Sequence, residues 1–325
     1  MAEREPGQRD VLTVGEFSQT PELGLDLEVL QGEAGMDNII RSARIQKLGL
    51  ALAGFSGYIH PDRVQFLGGS EFNYLRRLDP EGRRSALQCL GGQQVCCIVI
   101  TKGLEAPPEL LALAGTQKIP ILRSSALSST AISKVCDYLE RRLAPRTTIH
   151  GVFLDVFGLG ILLLGPSGIG KSECALDLIL KGHRLVADDY VEITRISQER
   201  LTGSGGRILE HHMELRGLGI INVKELFGIS ATGCSQALDL AIRLERWQKD
   251  TEYDRLGLEQ STVEFLGLSI PLIRMPVAPG RNVSTLVEVA ARLHLLRQRG
   301  YHPAQELMKQ CGTEETTKNN IHDKP

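Results

Sequence analysis

The chain has 325 residues, more than one hydrophobic core usually serves, so two domains are expected. With 42% hydrophobic and 23% charged residues it has the composition of a folded globular protein. A formal net charge of −2 and an isoelectric point near 6.5 remove any general electrostatic reason to bind nucleic acid or a membrane.

The start, Met1–Asp10, is polar and has no secretory apolar stretch, and no apolar run approaches the length of a membrane span. A cytoplasmic protein with neither nucleic-acid nor membrane partners is expected. Seven cysteines, an odd number with no CxxC spacing and several in apolar runs, read as small buried hydrophobes rather than disulfides or zinc ligands.

In the first half, His60-Pro61-Asp62 reads as a turn. Glu71–Leu90 has a helical pattern, with Arg83-Arg84 on its solvated face. Val95–Thr101 and Ile119–Arg123 read as strands, Pro108–Gly115 and Ser129–Leu143 as helices. This alternation predicts a small α/β domain over residues 1–145, without a catalytic motif and with a regulatory or assembly role.

A second domain is expected over 146–311, followed by a polar, disordered tail at 312–325. It opens with Thr148-Ile149-His150-Gly151. Two strands follow, Val152–Val156 and Gly160–Leu164, joined as a hairpin by Phe157-Gly158-Leu159. Then comes Gly165-Pro166-Ser167-Gly168-Ile169-Gly170-Lys171-Ser172, the pattern GxxxxGK[ST], running into a helix at Glu173–Lys181. Arg184–Ala187 reads as a short strand ending in Asp188-Asp189, and the glycine-rich Thr202–Gly206 as a mobile stretch. His211-His212 reads as a polar strand edge. In Val283–Arg299, Leu286, Ala290, Leu293 and Leu296 fall on one helical face.

A strand, a glycine-rich turn and a helix in that order aim backbone N–H groups and the helix N-terminus at phosphate. Gly165, Gly168 and Gly170 permit the close approach, Lys171 reaches the β- and γ-phosphates, and the Ser172 hydroxyl can ligate Mg²⁺. A bound nucleoside triphosphate or pyrophosphate is expected. The loop alone does not name the reaction, since kinases, hydrolases and switches share it.

Asp188-Asp189 ends a strand at the edge where open α/β sheets bind ligands. Two adjacent carboxylates suit a pair in which one does acid-base work while the other assists the metal. On residue type alone His150, Glu214 and Arg255 are open between functional and structural readings.

Several segments together resemble the bifunctional HPr kinase/phosphorylase family. These are His150-Gly151, Gly165–Glu173, Ala187-Asp188-Asp189, Met213-Glu214-Leu215-Arg216-Gly217-Leu218-Gly219-Ile220-Ile221-Asn222, Asp254-Arg255-Leu256-Gly257, and Pro276-Val277-Ala278-Pro279-Gly280-Arg281-Asn282. The resemblance implies a small N-terminal α/β domain followed by a P-loop kinase domain related in fold to phosphoenolpyruvate carboxykinase. It makes Asp189 the proton acceptor in kinase action and the proton donor in reverse, with His150, Lys171 and Arg255 as further active-site members. Ser172 and Glu214 would hold Mg²⁺, and Pro276–Arg281 would serve dephosphorylation. The implied donor is ATP or pyrophosphate, the implied partner the phosphocarrier protein HPr, and the implied assembly a homohexamer.

Two positions depart from the family pattern. Pro166 stands where an acidic residue is common, and Ala278 where an arginine is frequent. Loss of that positive charge is expected to weaken phosphate handling in the reverse direction. A small-metabolite kinase or carboxykinase-like enzyme, and a nucleotide-gated binding protein without transfer chemistry, are the alternatives.

Overall fold

The computed structural model describes residues 11–55, 57, 59–206, 210–247, 261–278, 280–303 and 306. They fall into two compact units, residues 11–144 and the described residues from 145 onward.

The first unit contains β1 (Leu12–Thr13), α1 (Val14–Gln19), β2 (Glu28–Gln31), β3 (Ile39–Ile40), β4 (Gln46–Lys47), α2 (Gly49–Leu52) and β5 (Gln65–Leu67). It continues through α3 (Gly69–Arg77), α4 (Pro80–Leu87), β6 (Ile98–Ile100), α5 (Pro108–Gln117), β7 (Ile121–Arg123) and α6 (Ser128–Arg142). Its main sheet has the order β2-β7-β6-β5-β4; β4 to β7 are parallel and β2 is an antiparallel edge. Alternate residues of the buried central strands serve opposite faces, as the two-residue strand period requires. Leu67, Ile98, Ile100 and Ile121 pack with Phe72, Leu75, Leu87 and Leu110 of α3, α4 and α5. Phe66, Val99 and Leu122 pack instead with Val135 and Leu139 of α6 and Phe17 of α1.

The helical pattern through Glu71–Leu90 is two helices. Leu78 is extended, and Asp79 caps α4 by accepting a 2.7 Å bond from Gly82 N–H, with Pro80 in the first turn. A proline forces the residue before it out of the α region, so one helix cannot run through. Arg83 is not simply solvated: its Nε donates to Glu109 Oε1 at 3.1 Å, tying α4 to α5. Pro61 and Asp62 do lie in a turn.

The second unit contains β8 (Arg146–His150), β9 (Val152–Val156), β10 (Leu159–Leu164), α7 (Lys171–Leu180), β11 (Arg184–Ala187), β12 (Tyr190–Arg195) and β13 (Leu201–Gly205). After these come β14 (His212–Leu215), β15 (Gly219–Asn222), α8 (Val223–Phe227), β16 (Ser235–Arg246), β17 (Ser261–Phe265), β18 (Leu268–Val277) and α9 (Val283–Gln298). Nine strands form one sheet in the order β11-β9-β10-β16-β13-β12-β8, with β18 and then β17 branching from β16. Strands β11, β10, β16 and β18 all point the same way, so the ends of four strands and the loops after them share one edge. Helices α7 and α9 pack on one face, over Leu154, Ile161, Leu163, Leu240 and Ile242.

Thr202–Gly206 is not a mobile stretch up to Gly205. Strand β13 pairs with β12 on one side and β16 on the other. Its glycine is needed for packing, because a Cβ on Gly203 would run into the fully buried ring of Phe153. No helix among the described residues is long and apolar enough to cross a membrane. The six described cysteines are free; Cys96, Cys97 and Cys174 are buried and Cys234 is exposed, while Cys311 lies outside the described residues. The tail at 312–325 also lies outside them.

Candidate active site

The shared edge gathers most of the residues singled out in the sequence. Leu164 ends β10, and the chain turns through Gly165, Gly168 and Gly170, with φ of 147°, 77° and 101°, before α7 begins at Lys171. Only glycine adopts such a series without strain. At Gly165 space matters as well, since a Cβ would sit 2.6 Å from Leu244 O of the neighbouring strand. Lys171 is 6% exposed, and its Nζ donates to the carbonyls of Gly165 at 3.0 Å and Pro166 at 3.3 Å, so the ammonium lies against the loop that carries it.

Ser172 is next along α7. Its hydroxyl donates to Asp188, at 3.1 Å from Oδ1 and 3.3 Å from Oδ2, and the Glu214 N–H donates to Asp188 Oδ2 at 3.1 Å. One carboxylate thus joins three elements: α7, the end of β11 and the β14–β15 hairpin. Asp188 is 6% exposed, and burial pushes its carboxyl up to about 6; the Glu214 N–H and the Ser172 hydroxyl oppose that rise, and the adjacent Asp189 charge adds to it. Asp188 is the member of the pair to which the family resemblance gave no role of its own. The signal was its place at a strand end before a second Asp, but only packing shows which of the two turns inward.

Asp189 points the other way. It has a left-handed φ of 66°, and its side chain is 41% exposed. Its carbonyl accepts bonds from Gly151 N–H and from His150 Nδ1, both at 3.0 Å, and its Oδ1 lies 3.9 Å from the same His150 nitrogen. Pairing of β8 with β12 sets His150 opposite Tyr190, which fixes the imidazole beside this carboxylate. The sequence had suggested one carboxyl for acid-base work and one for metal. The buried carboxyl with the raised pKa is the one bonded to the Ser172 hydroxyl, not the one the family pattern makes the proton acceptor.

The segment Met213–Asn222 forms the hairpin β14–β15. Met213 and Leu215 point into the core, Glu214 is exposed, and Asn222 accepts from Glu225 N–H at 3.1 Å to cap α8. Arg216 reaches the glycine-rich loop: its Nη2 donates to Ser167 Oγ at 3.3 Å, and a Cβ on Gly168 would lie 2.8 Å from its Nη1. Gly217 and Gly219, with φ of 88° and 86°, make the reversal, and Leu218 and Ile220 stand exposed.

Pro276 and Val277 end β18, and Ala278 follows at the same edge, two strands from the loop across β16. Arg281 Nη1 donates to Pro276 O at 3.0 Å and its N–H to Ala278 O at 3.1 Å, closing a turn in which Gly280 has a φ of 81°. Pro279 and Arg255, with the rest of Asp254–Gly257, lie outside the described residues.

No group of three or more His, Cys, Asp or Glu side chains is set up to hold a metal among the described residues. The Ser172 hydroxyl and the Asp188 carboxylate, 3.1 Å apart, suit a hard cation of the Mg²⁺ type, which takes one or two protein ligands and completes its shell with phosphate and water.

A strand-end carboxylate pair beside a glycine-rich loop is therefore the centre of the second unit. The chain matches the profile of the HPr Serine kinase N terminus over residues 13–139 and that of the HPr Serine kinase C-terminal domain over 141–311. An HPr kinase/phosphorylase of Geobacter sulfurreducens is 47% identical over 295 residues, covering 91% of this chain and 92% of that protein. One of Alkaliphilus metalliredigens is 44% identical, covering 87% of this chain and 91% of its own. A solved HPr(Ser) kinase/phosphatase from Coxiella burnetii is 32% identical, covering 55% of this chain and 99% of that one at a TM-score of 0.45. The chain belongs to the HPr serine kinase family.

Proposed function

We propose that this protein is a bifunctional protein-serine kinase and phosphorylase acting on HPr. It transfers a phosphoryl group from ATP or pyrophosphate to a serine of HPr, and removes it by phosphorolysis to give pyrophosphate. The observation that carries this reading is the junction of Ser172, Asp188 and the Glu214 backbone at the mouth of the glycine-rich loop, with Asp189 directly beside it.

Residues 165–172 act as a P-loop, on a fold of the phosphoenolpyruvate carboxykinase type, and Lys171 swings from its carbonyl partners to the terminal phosphates of the donor. Ser172, Glu214 and Asp188 would hold Mg²⁺, which would supply charge neutralisation on those phosphates. The serine hydroxyl of HPr gives its proton to the Asp189 carboxylate as its oxygen bonds to phosphorus, and the bond from phosphorus to ADP breaks. His150, against the Asp189 carbonyl, fixes that carboxylate, and Arg255 offsets charge spread over the transferring group.

In reverse, an oxygen of inorganic phosphate attacks the phosphoserine phosphorus. The bond to the serine oxygen breaks, protonated Asp189 returns the proton to it, and pyrophosphate leaves. Pro276–Arg281 serves this direction. The enzyme works in the cytoplasm as a homohexamer, with the first unit in regulation or assembly. Incubation with Mg-ATP and HPr is expected to give acid-stable phosphoserine, and phosphoserine-HPr with phosphate to give pyrophosphate. No transfer from either ATP or pyrophosphate would overturn the proposal.

A further inference from the structure

Three segments of the second unit that each have one end at the candidate active site meet again, away from it, on a single carboxylate. Glu288, in the second turn of α9, accepts from Lys181 Nζ at 2.8 Å through Oε2 and from the His183 Nε2–H at 3.1 Å through Oε1. Lys181 closes α7, whose first residues are Lys171 and Ser172. His183 precedes β11, which leads into Asp188-Asp189, and α9 follows the turn that contains Ala278 and Arg281. The Lys181 ammonium also donates to Ser284 Oγ at 3.2 Å and Thr285 Oγ1 at 3.1 Å, in the first turn of α9. Ser284 is 1% and His183 7% exposed, so the junction is built into the protein and is not a surface ion pair. Lys181 first, and then His183, hold the Glu288 carboxyl below the ordinary carboxylate range.

The corner that Glu288 grips is rigid in itself. The His183 N–H bonds back to Leu178 O at 3.0 Å and the Lys181 N–H to Asp177 O at 3.2 Å, with Gly182 at a φ of 93° making the reversal. The end of α7 and the start of β11 are thus one body, and the Glu288 bonds fix α9 against it.

A second contact holds the same face of α9. Phe157 and Gly158, with φ of 57° and 84°, make the two-residue turn between β9 and β10, where asparagine and glycine are the usual occupants. A phenylalanine in that conformation is strained, and it persists where its surroundings hold it. Its ring stands edge-on to His183 with centroids 4.7 Å apart, and the Arg292 guanidinium lies 4.2 Å from its centre. Arg292 is one helical turn beyond Glu288, so both contacts come from one stripe of the helix.

The turn between β18 and α9 is thereby anchored at both ends. Val277 O accepts from Trp247 N–H at 3.0 Å beside the β16–β18 ladder, and Asn282 caps α9 by accepting from Thr285 N–H at 3.0 Å. Between the anchors, Arg281 bonds to Pro276 O and Ala278 O, inside the turn.

We infer that Glu288 is a positioning residue for phosphorolysis: through Lys181 and His183 it sets the start of α9, and with it the turn at 276–281. The inference rests on the role in phosphorolysis proposed above for that turn. Ser172 and Asp188 hold each other directly, so phosphorylation from ATP does not depend on the grip.

The test uses the full chain with Glu288→Ala, which suits a helix and removes both bonds, beside Lys181→Ala, the double variant and Lys181→Arg. Glu288→Ala is expected to raise KM for phosphate in phosphorolysis by about tenfold and to leave kcat/KM for ATP-dependent phosphorylation of HPr within about twofold. Lys181→Ala should act in the same way, and the double variant no worse than either, because both remove one junction. Lys181→Arg keeps a cation there and should stay within about twofold of the parent. Hydrogen exchange should quicken at 280–285 in Glu288→Ala and stay unchanged at 165–172. Where Glu288→Ala does not fold, Lys181→Ala carries the same comparison. Equal losses in both reactions would show a merely structural role and overturn the inference, as would an unchanged KM for phosphate or unchanged exchange at 280–285. Absence of phosphorolysis in the parent chain is a different failure: it overturns the reaction proposed for the turn, while exchange at 280–285 still decides whether Glu288 holds it.

Discussion

Asp188 and Asp189 are neighbours in sequence with opposite surroundings, one buried against Ser172 and one exposed beside His150. Replacing Asp189 therefore calls for asparagine: alanine at a φ of 66° would add strain of about 1–2 kcal/mol, which asparagine largely avoids. Asp189→Asn is expected to lower kcat in both directions by about 10²–10⁴-fold and to leave ATP affinity within about twofold, measured by transfer assay and calorimetry. Loss of ATP affinity in step with rate would mean that Asp189 holds nucleotide rather than a proton. For Asp188 the readout is stability. Its pKa of about 6 lies above the ordinary carboxylate value of about 3.9, so the folded chain keeps a proton that the unfolded chain releases across that interval. The contribution is fully present below about pH 4 and is lost as pH rises through about 6, on the order of 3 kcal/mol. In metal-free buffer the urea midpoint should fall over this window, and Asp188→Asn should flatten the fall. An identical pH profile in the variant would show that Asp188 is not the group responsible.

Among the elements, what was legible in the sequence is whatever local pattern decides. The hairpin through Phe157 and Gly158, the strand before Gly165 and the helix after Lys171 follow from turn chemistry and apolar runs, and the structure has them. Glu71–Leu90 misled because Asp79-Pro80 sits within a helical periodicity that both helices share. Thr202–Gly206 misled for a tertiary reason: glycine there serves a ring contributed from about fifty positions earlier, and nothing local announces Phe153. Gly203→Ala tests this directly. If the glycine were there for mobility, alanine would be neutral or slightly stabilising. As a site of packing, it should cost roughly 1–3 kcal/mol and lower the melting temperature. The orientation of the two aspartates had the same tertiary origin, since the sequence places both at a strand end and only the pairing of β8 with β12 and the contact to Ser172 separate them.

For the whole molecule the open quantity is the balance between two opposite reactions at one site. In the proposed mechanism both use the loop, Ser172 and Asp189, but only phosphorolysis must admit a second free dianion, inorganic phosphate, to a site already occupied by phosphoserine. Repulsion between the two opposes that approach, and a cation at the entrance relieves it. Ala278 is at the edge shared with the loop, in a turn closed by Arg281. An arginine there would add a fixed fork of donors suited to phosphate without touching the loop proposed to hold ATP. Ala278→Arg is therefore expected to raise kcat/KM for phosphate by about tenfold, chiefly through KM, and to leave kinase kcat/KM within about twofold. Pyrophosphate release and phosphoserine formation measure the two directions separately. Equal changes in both would show that position 278 acts on the common chemistry and not on the entry of phosphate.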